Sequence, residues 1–430
     1  MNALLYTLFV FVLILFLARL KVPLAFAIVI GSIILAAMFD MSAGDITRSI
    51  SLATIQPRTI SLIFVMTLIL ALSAIMRQTG QFEQIVSLAK LLFRHPAVTM
   101  AVLPALIGLL PMPGGALFSA PMVQSAASPG KVKGSVLSAI NYWFRHIWEH
   151  FWPLYPGVML AMTLTGFSYG LFAIFQIPLG IFMAATGLML FWNTHPDLHI
   201  KSAAAPAGTK RKFFGAISSI WIILLVWIPS KFLVALLLSP LLIQTLKSPA
   251  EKYLPLALGL IASIIWTARR NNVSRVSLIE NFAQKFILSM IALVVSVMVF
   301  QYILQQTGAA QQIADELLQL HVPVVLVVMA LPFIAGMVTG LAIGFVGTSF
   351  PIVLAMVNGL PEPGLLYPYV TLAYGFGHLG QMMSPLHLCH VVSNEYFKTG
   401  FSNVYPRLIP IALADAVLII TYFYILKITV

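Results

Sequence analysis

Charge is what this 430-residue chain has least of. Asp, Glu, Lys and Arg together make up 8% of it, hydrophobic residues make up 60%, and the mean hydropathy is +0.99. Soluble domains carry roughly a quarter charged residues, so a single water-soluble core is excluded. Runs of about 20 apolar residues mark membrane spans instead, as at Leu4–Ala18, Pro23–Met38, Thr59–Ile75, Tyr169–Trp192, Phe286–Leu304 and Leu408–Leu426. Leu4–Ala18 has neither the basic leader nor the small-residue cleavage site of a signal peptide and reads as a helix. Acidic residues are scarcer than basic ones, 12 against 24. The excess is that of basic loops facing anionic lipid, with no nucleic acid needed to explain it. Cysteine is nearly absent: Cys389 stands alone, which excludes an intrachain disulfide and a cluster of several thiolates around a metal.

What is present is an internal echo. Gln78-Thr79-Gly80, Leu103-Pro104 and Gly108 return as Gln306-Thr307-Gly308, Leu331-Pro332 and Gly336. Ser119-x-Pro121-x-Val123 returns as Ser349-x-Pro351-x-Val353. Phe144-x-His146 before Pro153-Leu154 returns as Phe376-x-His378 before Pro385-Leu386. The order is kept and the offset drifts only from 228 to 232 residues, which reads as a duplicated unit.

Each half holds an apolar segment interrupted by glycine. One is centred on Pro111-Met112-Pro113-Gly114-Gly115, the other on the stretch from Gly340 through Gly344 to Gly347-Thr348-Ser349. Broken backbone at membrane depth survives only where protein or a wet cavity satisfies it, so both read as re-entrant hairpins. Lys90, Arg94, Lys131 and Lys133 flank the first; Asp315, Glu316 and Glu362 flank the second. The positive-inside rule then puts the first mouth in the cytoplasm and the second outside, which inverts the halves. Interrupted helices at matching places in inverted halves point to a transporter binding site.

The expected architecture is an all-α polytopic membrane protein with about ten transmembrane helices. Residues 1–195 form the first inverted repeat, with a hairpin over about 98–127 and a broken helix over about 135–164. A cytoplasmic linker covers 196–212, marked by the basic residues Lys201, Lys210, Arg211 and Lys212. Residues 213–430 form the second repeat, with a hairpin over about 324–357 and a broken helix over about 365–396. Within Phe213–Leu246, one crossing over Phe213–Pro229 is expected, with Phe232–Leu246 in the interface.

Candidate chemistry follows each hairpin. Polar side chains inside a membrane are costly and face a bundle interior or a wet path. On a continuous helix Tyr142, Arg145, His146 and Glu149 would share a face, with Arg145 and Glu149 able to pair. His146 and His378 are equivalent positions; Gly377 and Gln381 replace Arg145 and Glu149 in the second copy. Pro153 and Pro385 should break their helices near mid-membrane and free backbone groups for a ligand. The candidate substrate-binding residues are Gly114, Gly115, Ser119, Arg145, His146, Gly347, Thr348, Ser349, His378 and Ser384. Glu149, Asn141, Gln381 and His387 are candidates for ion coupling, and Asp415 is a stray acid in the last span. Two rival readings are an anion channel and an intramembrane zinc enzyme. The latter rests on the H-x-x-E-H spacing of His146, Glu149 and His150, which the second copy does not repeat.

The inverted repeat, the glycine-tipped hairpins and the proline-broken helices together resemble the ion transporter superfamily. That group holds divalent anion/sodium symporters, gluconate and citrate permeases and the large subunit of TRAP carriers. The resemblance spans nearly the whole chain and is nearest to a separate bacterial family within the group. It implies a secondary transporter in the cytoplasmic (inner) membrane, not an enzyme, moving a small organic anion by a proton- or sodium-coupled elevator mechanism. No cofactor or bound metal is expected beyond the coupling ion. A homodimer is implied, and a TRAP-type carrier would add a separate binding protein. Gln81–Leu92 and Ala309–Leu320 would be the arms between scaffold and moving domain. The Ser-Asn-Thr signature of the dicarboxylate/sodium symporters is replaced by Pro113-Gly114-Gly115 and Gly347-Thr348-Ser349, which leaves substrate and coupling ion open.

Overall fold

A computed structural model of the protein describes residues 3–93, 95–109, 111–112, 114–127, 132–191, 206–238, 244–320, 323–360 and 363–429. Arg94, Pro113, Lys131, Lys201, Glu362 and most of the expected linker lie outside these residues. The described residues contain helices and turns, and no strand.

The first half runs α1 (Ala3–Arg19), α2 (Leu24–Met38), α3 (Ala43–Ile55), α4 (Pro57–Gln78), α5 (Gln81–Leu92), α6 (Pro96–Gly108), α7 (Ala116–Ala126), α8 (Gly134–Arg145), α9 (Pro156–Thr165) and α10 (Tyr169–Gly187). A short α11 (Thr209–Ala216) overlaps the end of the expected linker. The second half runs α12 (Ser218–Leu233), α13 (Gln244–Arg270), α14 (Arg275–Phe282), α15 (Lys285–Gln306), α16 (Ala309–Gln319), α17 (Val324–Thr339), α18 (Ala342–Asn358), α19 (Leu366–Met382), α20 (Leu388–Tyr396) and α21 (Phe401–Thr429).

Local chemistry sets many of these boundaries. Pro57, Pro96 and Pro156 open α4, α6 and α9, where a missing N–H costs nothing. Ser42, Ser168 and Ser274 cap α3, α10 and α14 through their hydroxyls. Gly80 and Gly308 both sit at φ +66°, turning α4 into α5 and α15 into α16.

Five described helices are long and apolar enough to cross a membrane: Pro57–Gln78, Tyr169–Phe191, Ser218–Leu236, Arg275–Gln306 and Phe401–Thr429. Six shorter apolar helices, among them α1, α2 and both arms of the second hairpin, accompany them. The region after 212 departs from expectation. The crossing starts at Ser218 and passes through Pro229 to Leu236, ending in a π-helical turn over Val234–Leu238. Residues Phe232–Leu238 therefore extend that helix, and Gln244 already belongs to the 27-residue α13. A π turn gives the backbone freed by a proline a way to continue without leaving the helix axis.

Both hairpins form. The 13 residues of α6 and the 17 of α18 extend about 20 and 25 Å, short of a hydrocarbon core of about 30 Å. Packing between the halves is reciprocal: α2 lies on α15 while α13 lies on α4, and α9 lies on α18 while α20 lies on α7. Within each half the hairpin's first arm packs on the broken helix, α6 on α8 and α17 on α19. Glycine permits this close approach. A Cβ on Gly108 would fall 3.0 Å from the carbonyl carbon of Arg145; one on Gly336 would fall 2.7 Å from the Gln381 nitrogen and against the Gly377 oxygen.

Candidate functional site

The site is built where α8 and α19 break. Helix α8 ends at Arg145, well before Pro153, and a 3-10 turn follows over Ile147–His150. Helix α19 runs to Met382 and breaks at Pro385 before α20 begins at Leu388. The break in the first half thus starts earlier than expected. Each proline lacks the N–H that would serve the carbonyl four residues back. At Pro153 that carbonyl belongs to Glu149, and the Tyr374 hydroxyl donates to it at 2.7 Å. At Pro385 it belongs to Gln381, which accepts the Ser384 N–H at 3.1 Å, and the Tyr142 hydroxyl lies 3.3 Å from it and 3.1 Å from the next carbonyl, Met382. Each half therefore satisfies the other's broken helix with a tyrosine at the equivalent position.

The 3-10 turn decides which neighbours survive. With about three residues per turn, i and i+3 are superposed and i+4 is rotated away. His146 Nε2 lies 3.8 Å from Glu149 Oε1. Glu149 Oε2 lies 3.9 Å from His378 Nε2 and accepts from Gln381 Nε2 at 2.7 Å. His150 turns away to pack on His378, ring centroids 4.1 Å apart. The H-x-x-E-H set of the rival zinc reading is therefore not assembled. Nor is the expected Arg145–Glu149 pair: Arg145 Nη2 donates to the Met112 carbonyl at 3.0 Å, and its Nε and Nη1 have no hydrogen-bond partner.

These groups face a cavity of about 150 Å³. Met112 and Gly114 come to it from the first hairpin, Leu341 and Ile343 from the second. Arg145, His146, Glu149 and Tyr155 come from the first break, Gln381, His387 and Cys389 from the second. Arg145 is only 2% exposed. A Cβ on Gly115 would fall 2.5 Å from its Cζ and 2.7 Å from Nη1, so that glycine is what leaves room for the guanidinium. A larger crevice of about 800 Å³ between α17, α19 and α21 is walled by apolar and aromatic side chains and has no charged group for an anion.

Residues 1–426 match the family described as "Protein of unknown function (DUF401)". The chain belongs to the DUF401 family. It is similar to the crystal structure of the Alcanivorax borkumensis YdaH transporter, reported to have an unusual topology, with a TM-score of 0.56 and 16% identity over 85% of this chain and 84% of that one. No curated protein matches the chain. At that identity the likeness is one of fold, and the DUF401 protein is a multi-pass membrane protein with the fold of a transporter.

In this DUF401 protein the expected site residues divide. Gly114, Arg145, His146, Glu149, Gln381 and His387 line the cavity, and Gly115 backs the guanidinium. The others lie outside its lining. Thr348 and Ser349 turn their hydroxyls back to the Gly344 and Phe345 carbonyls inside α18, and Gly347 makes room for Val297. The tip of the second hairpin is instead Gly340–Leu341, with Gly340 at φ +63°. Ser119 donates to Ala116, Ser384 receives the Leu386 N–H, and Asn141 bridges Ala116 and Ser393. His378 is fully buried beside Glu149 and His150. Asp415 is buried in α21 with no partner for either oxygen. Tyr374 and Cys389 were overlooked, and Tyr142, placed on the shared face, was given no role. Tyr142 and Tyr374 had a signal, since each stands four residues before its half's repeated histidine. Cys389 had none beyond its proximity to His387.

Proposed function

We propose that this protein is a secondary active transporter of a small organic anion, working by an ion-coupled elevator movement of two inverted halves, in keeping with its resemblance to the ion transporter superfamily. The observation that carries the reading is Arg145. A buried guanidinium with no carboxylate pairing it and two nitrogens without acceptors is costly unless a ligand supplies the missing oxygens, and it opens on a cavity walled by both hairpins and both breaks. Arginine suits a carboxylate because its planar fork can donate two bonds at once.

Duplication is supported by the reciprocal packing of the halves, the paired tyrosines and the equivalent glycines Gly108 and Gly336. Glu149 is the candidate for coupling. It meets His146 and His378, equivalent by the repeat, and Gln381, its own equivalent. Hairpins and broken helices would move together, with α5 and α16 as arms to a dimeric scaffold in the inner membrane. The test is thermal stability of the purified protein against mono-, di- and tricarboxylates, with and without sodium and at two pH values. A ligand binding only the folded state raises stability with its concentration. One class should stabilise the native protein and not Arg145→Gln, whose own stability is unchanged or higher because a buried charge is gone. Equal stabilisation of both proteins would sink the assignment.

A further inference from the structure

The cavity also holds a donor set that no anion requires. His146, His387 and Cys389 each bring one ligand atom within 4.8 Å of the other two, and all three are buried. They come from different halves, His146 from the end of α8, His387 from the break before α20 and Cys389 from the first turn of α20. Two imidazoles and a thiol suit zinc and its neighbours among the transition metals.

The histidines are oriented as ligands are. His146 Nδ1 lies 2.6 Å from the Tyr142 carbonyl, so this nitrogen carries the proton and Nε2 keeps its lone pair. His387 Nδ1 lies 2.9 Å from the Tyr142 hydroxyl and 3.4 Å from the Gln381 carbonyl, which leaves its Nε2 as the free donor. Fixing one ring nitrogen on a carbonyl or hydroxyl so that the other can bind is the usual support of a metal-bound histidine. One residue, Tyr142, thus orients both rings, His146 through its backbone carbonyl and His387 through its hydroxyl. Glu149 Oε1 lies 3.8 Å from His146 Nε2 on the wall of the same cavity.

We propose that this cavity binds a divalent thiophilic cation of the zinc class through His146, His387 and Cys389, with Glu149 or an incoming anion completing a tetrahedron. Zinc at about 2.0–2.3 Å from each donor would hold the donors roughly 3.3–3.6 Å apart, so donors now within 4.8 Å of one another need close by no more than about 1.5 Å. Charge fits as well. A Cys389 thiolate and the Glu149 carboxylate offset a dication, and the Arg145 charge remains for an anion. Metal binding does not depend on the anion reading; only the idea that cation and anion share one cavity rests on it.

The experiment uses the full chain, purified, stripped with a chelator and titrated with Co(II). One cobalt per chain with a thiolate-to-cobalt charge-transfer band is expected. Cys389→Ser should abolish the band and weaken cobalt binding at least about 100-fold; His387→Gln should weaken it comparably. His150→Gln should leave the band in place, and titrating cobalt with no carboxylate present separates this proposal from failure of the anion site. Zinc-edge X-ray absorption of the wild-type protein needs no variant and should show one sulfur at about 2.3 Å. No bound metal in monodisperse protein, a shell of nitrogen and oxygen alone, or binding that is lost in His150→Gln would each overturn the proposal.

Discussion

Replacing Tyr374 by Phe removes a single hydroxyl and leaves the ring packing intact. That ring is fully buried, edge-on to Phe172 and Phe345, so the change creates no cavity of note. What is lost is the 2.7 Å hydrogen bond to the Glu149 carbonyl, which Pro153 prevents from finding a helical partner. A buried carbonyl left unpaired costs about 1–3 kcal/mol. Tyr142→Phe should cost more, because its hydroxyl both donates its proton to the Gln381–Met382 carbonyls, the nearer at 3.1 Å, and pairs with His387 Nδ1 at 2.9 Å. The assay is reversible unfolding in mixed micelles, each variant compared with wild type. The expected order is wild type, Tyr374→Phe, then Tyr142→Phe. Cobalt binding should weaken in Tyr142→Phe and stay unchanged in Tyr374→Phe, since only the first orients His387. Two variants as stable as wild type would refute the idea that these tyrosines serve the broken helices. A nearby Tyr374→Phe control is Tyr405→Phe, a half-exposed hydroxyl on the Met383 carbonyl, with an expected loss under about 1 kcal/mol.

Further outcomes are expected elsewhere. Gly115→Ala places a methyl against the Arg145 guanidinium, so anion stabilisation should fall at least about tenfold while the protein still purifies as a monodisperse species. Gly108→Ala and Gly336→Ala each drive a methyl into a neighbouring backbone and should cost more than about 2 kcal/mol, read as lost yield of folded protein. Glu149→Gln should remove the pH dependence of transport in proteoliposomes; a profile identical to wild type would assign coupling to another group. Glu316, outside the membrane-spanning helices, accepts from the backbone N–H groups of Ala3 and Leu4 at 3.0 and 2.9 Å. Burial works against its charge, but those two bonds prevail and hold its pKa below the ordinary 4.5. A lowered folded-state pKa stabilises above the unfolded value and is lost as pH falls through the folded one. Wild type should therefore lose about 1 kcal/mol relative to Glu316→Gln on acidification below about pH 4.5, measured as the difference in Tm across pH.

Much of the fold could be read from the residues. Hydropathy required a membrane protein because a low-charge chain cannot cover itself in water, and the breaks within about 98–127 and 324–357 were legible because proline and glycine cannot hold an uninterrupted helix. The region after Phe213 was not, since a π turn can carry a helix past Pro229 and hydropathy does not register it. For the site, the one-dimensional pattern reached Arg145, His146, Glu149, Gln381 and His387, because buried polar groups stand out in an apolar chain. It misjudged their partners: a continuous helix would have joined Arg145 to Glu149 and His146 to His150, whereas the 3-10 turn keeps His146 with Glu149 and sends His150 to His378.

The sequence alone determined the solvent of this protein, the two glycine-interrupted apolar segments and the polar residues that cluster beyond them, because hydropathy and backbone-breaking residues act locally. Only the tertiary structure decided that Thr348 and Ser349 turn inward on their own helix, that Tyr142 and Tyr374 exchange bonds between halves, and that Cys389 meets His146 across more than half the chain. Those outcomes depend on which backbone groups are left unpaired at each break and on which side chain, however distant along the chain, is close enough in space to satisfy them.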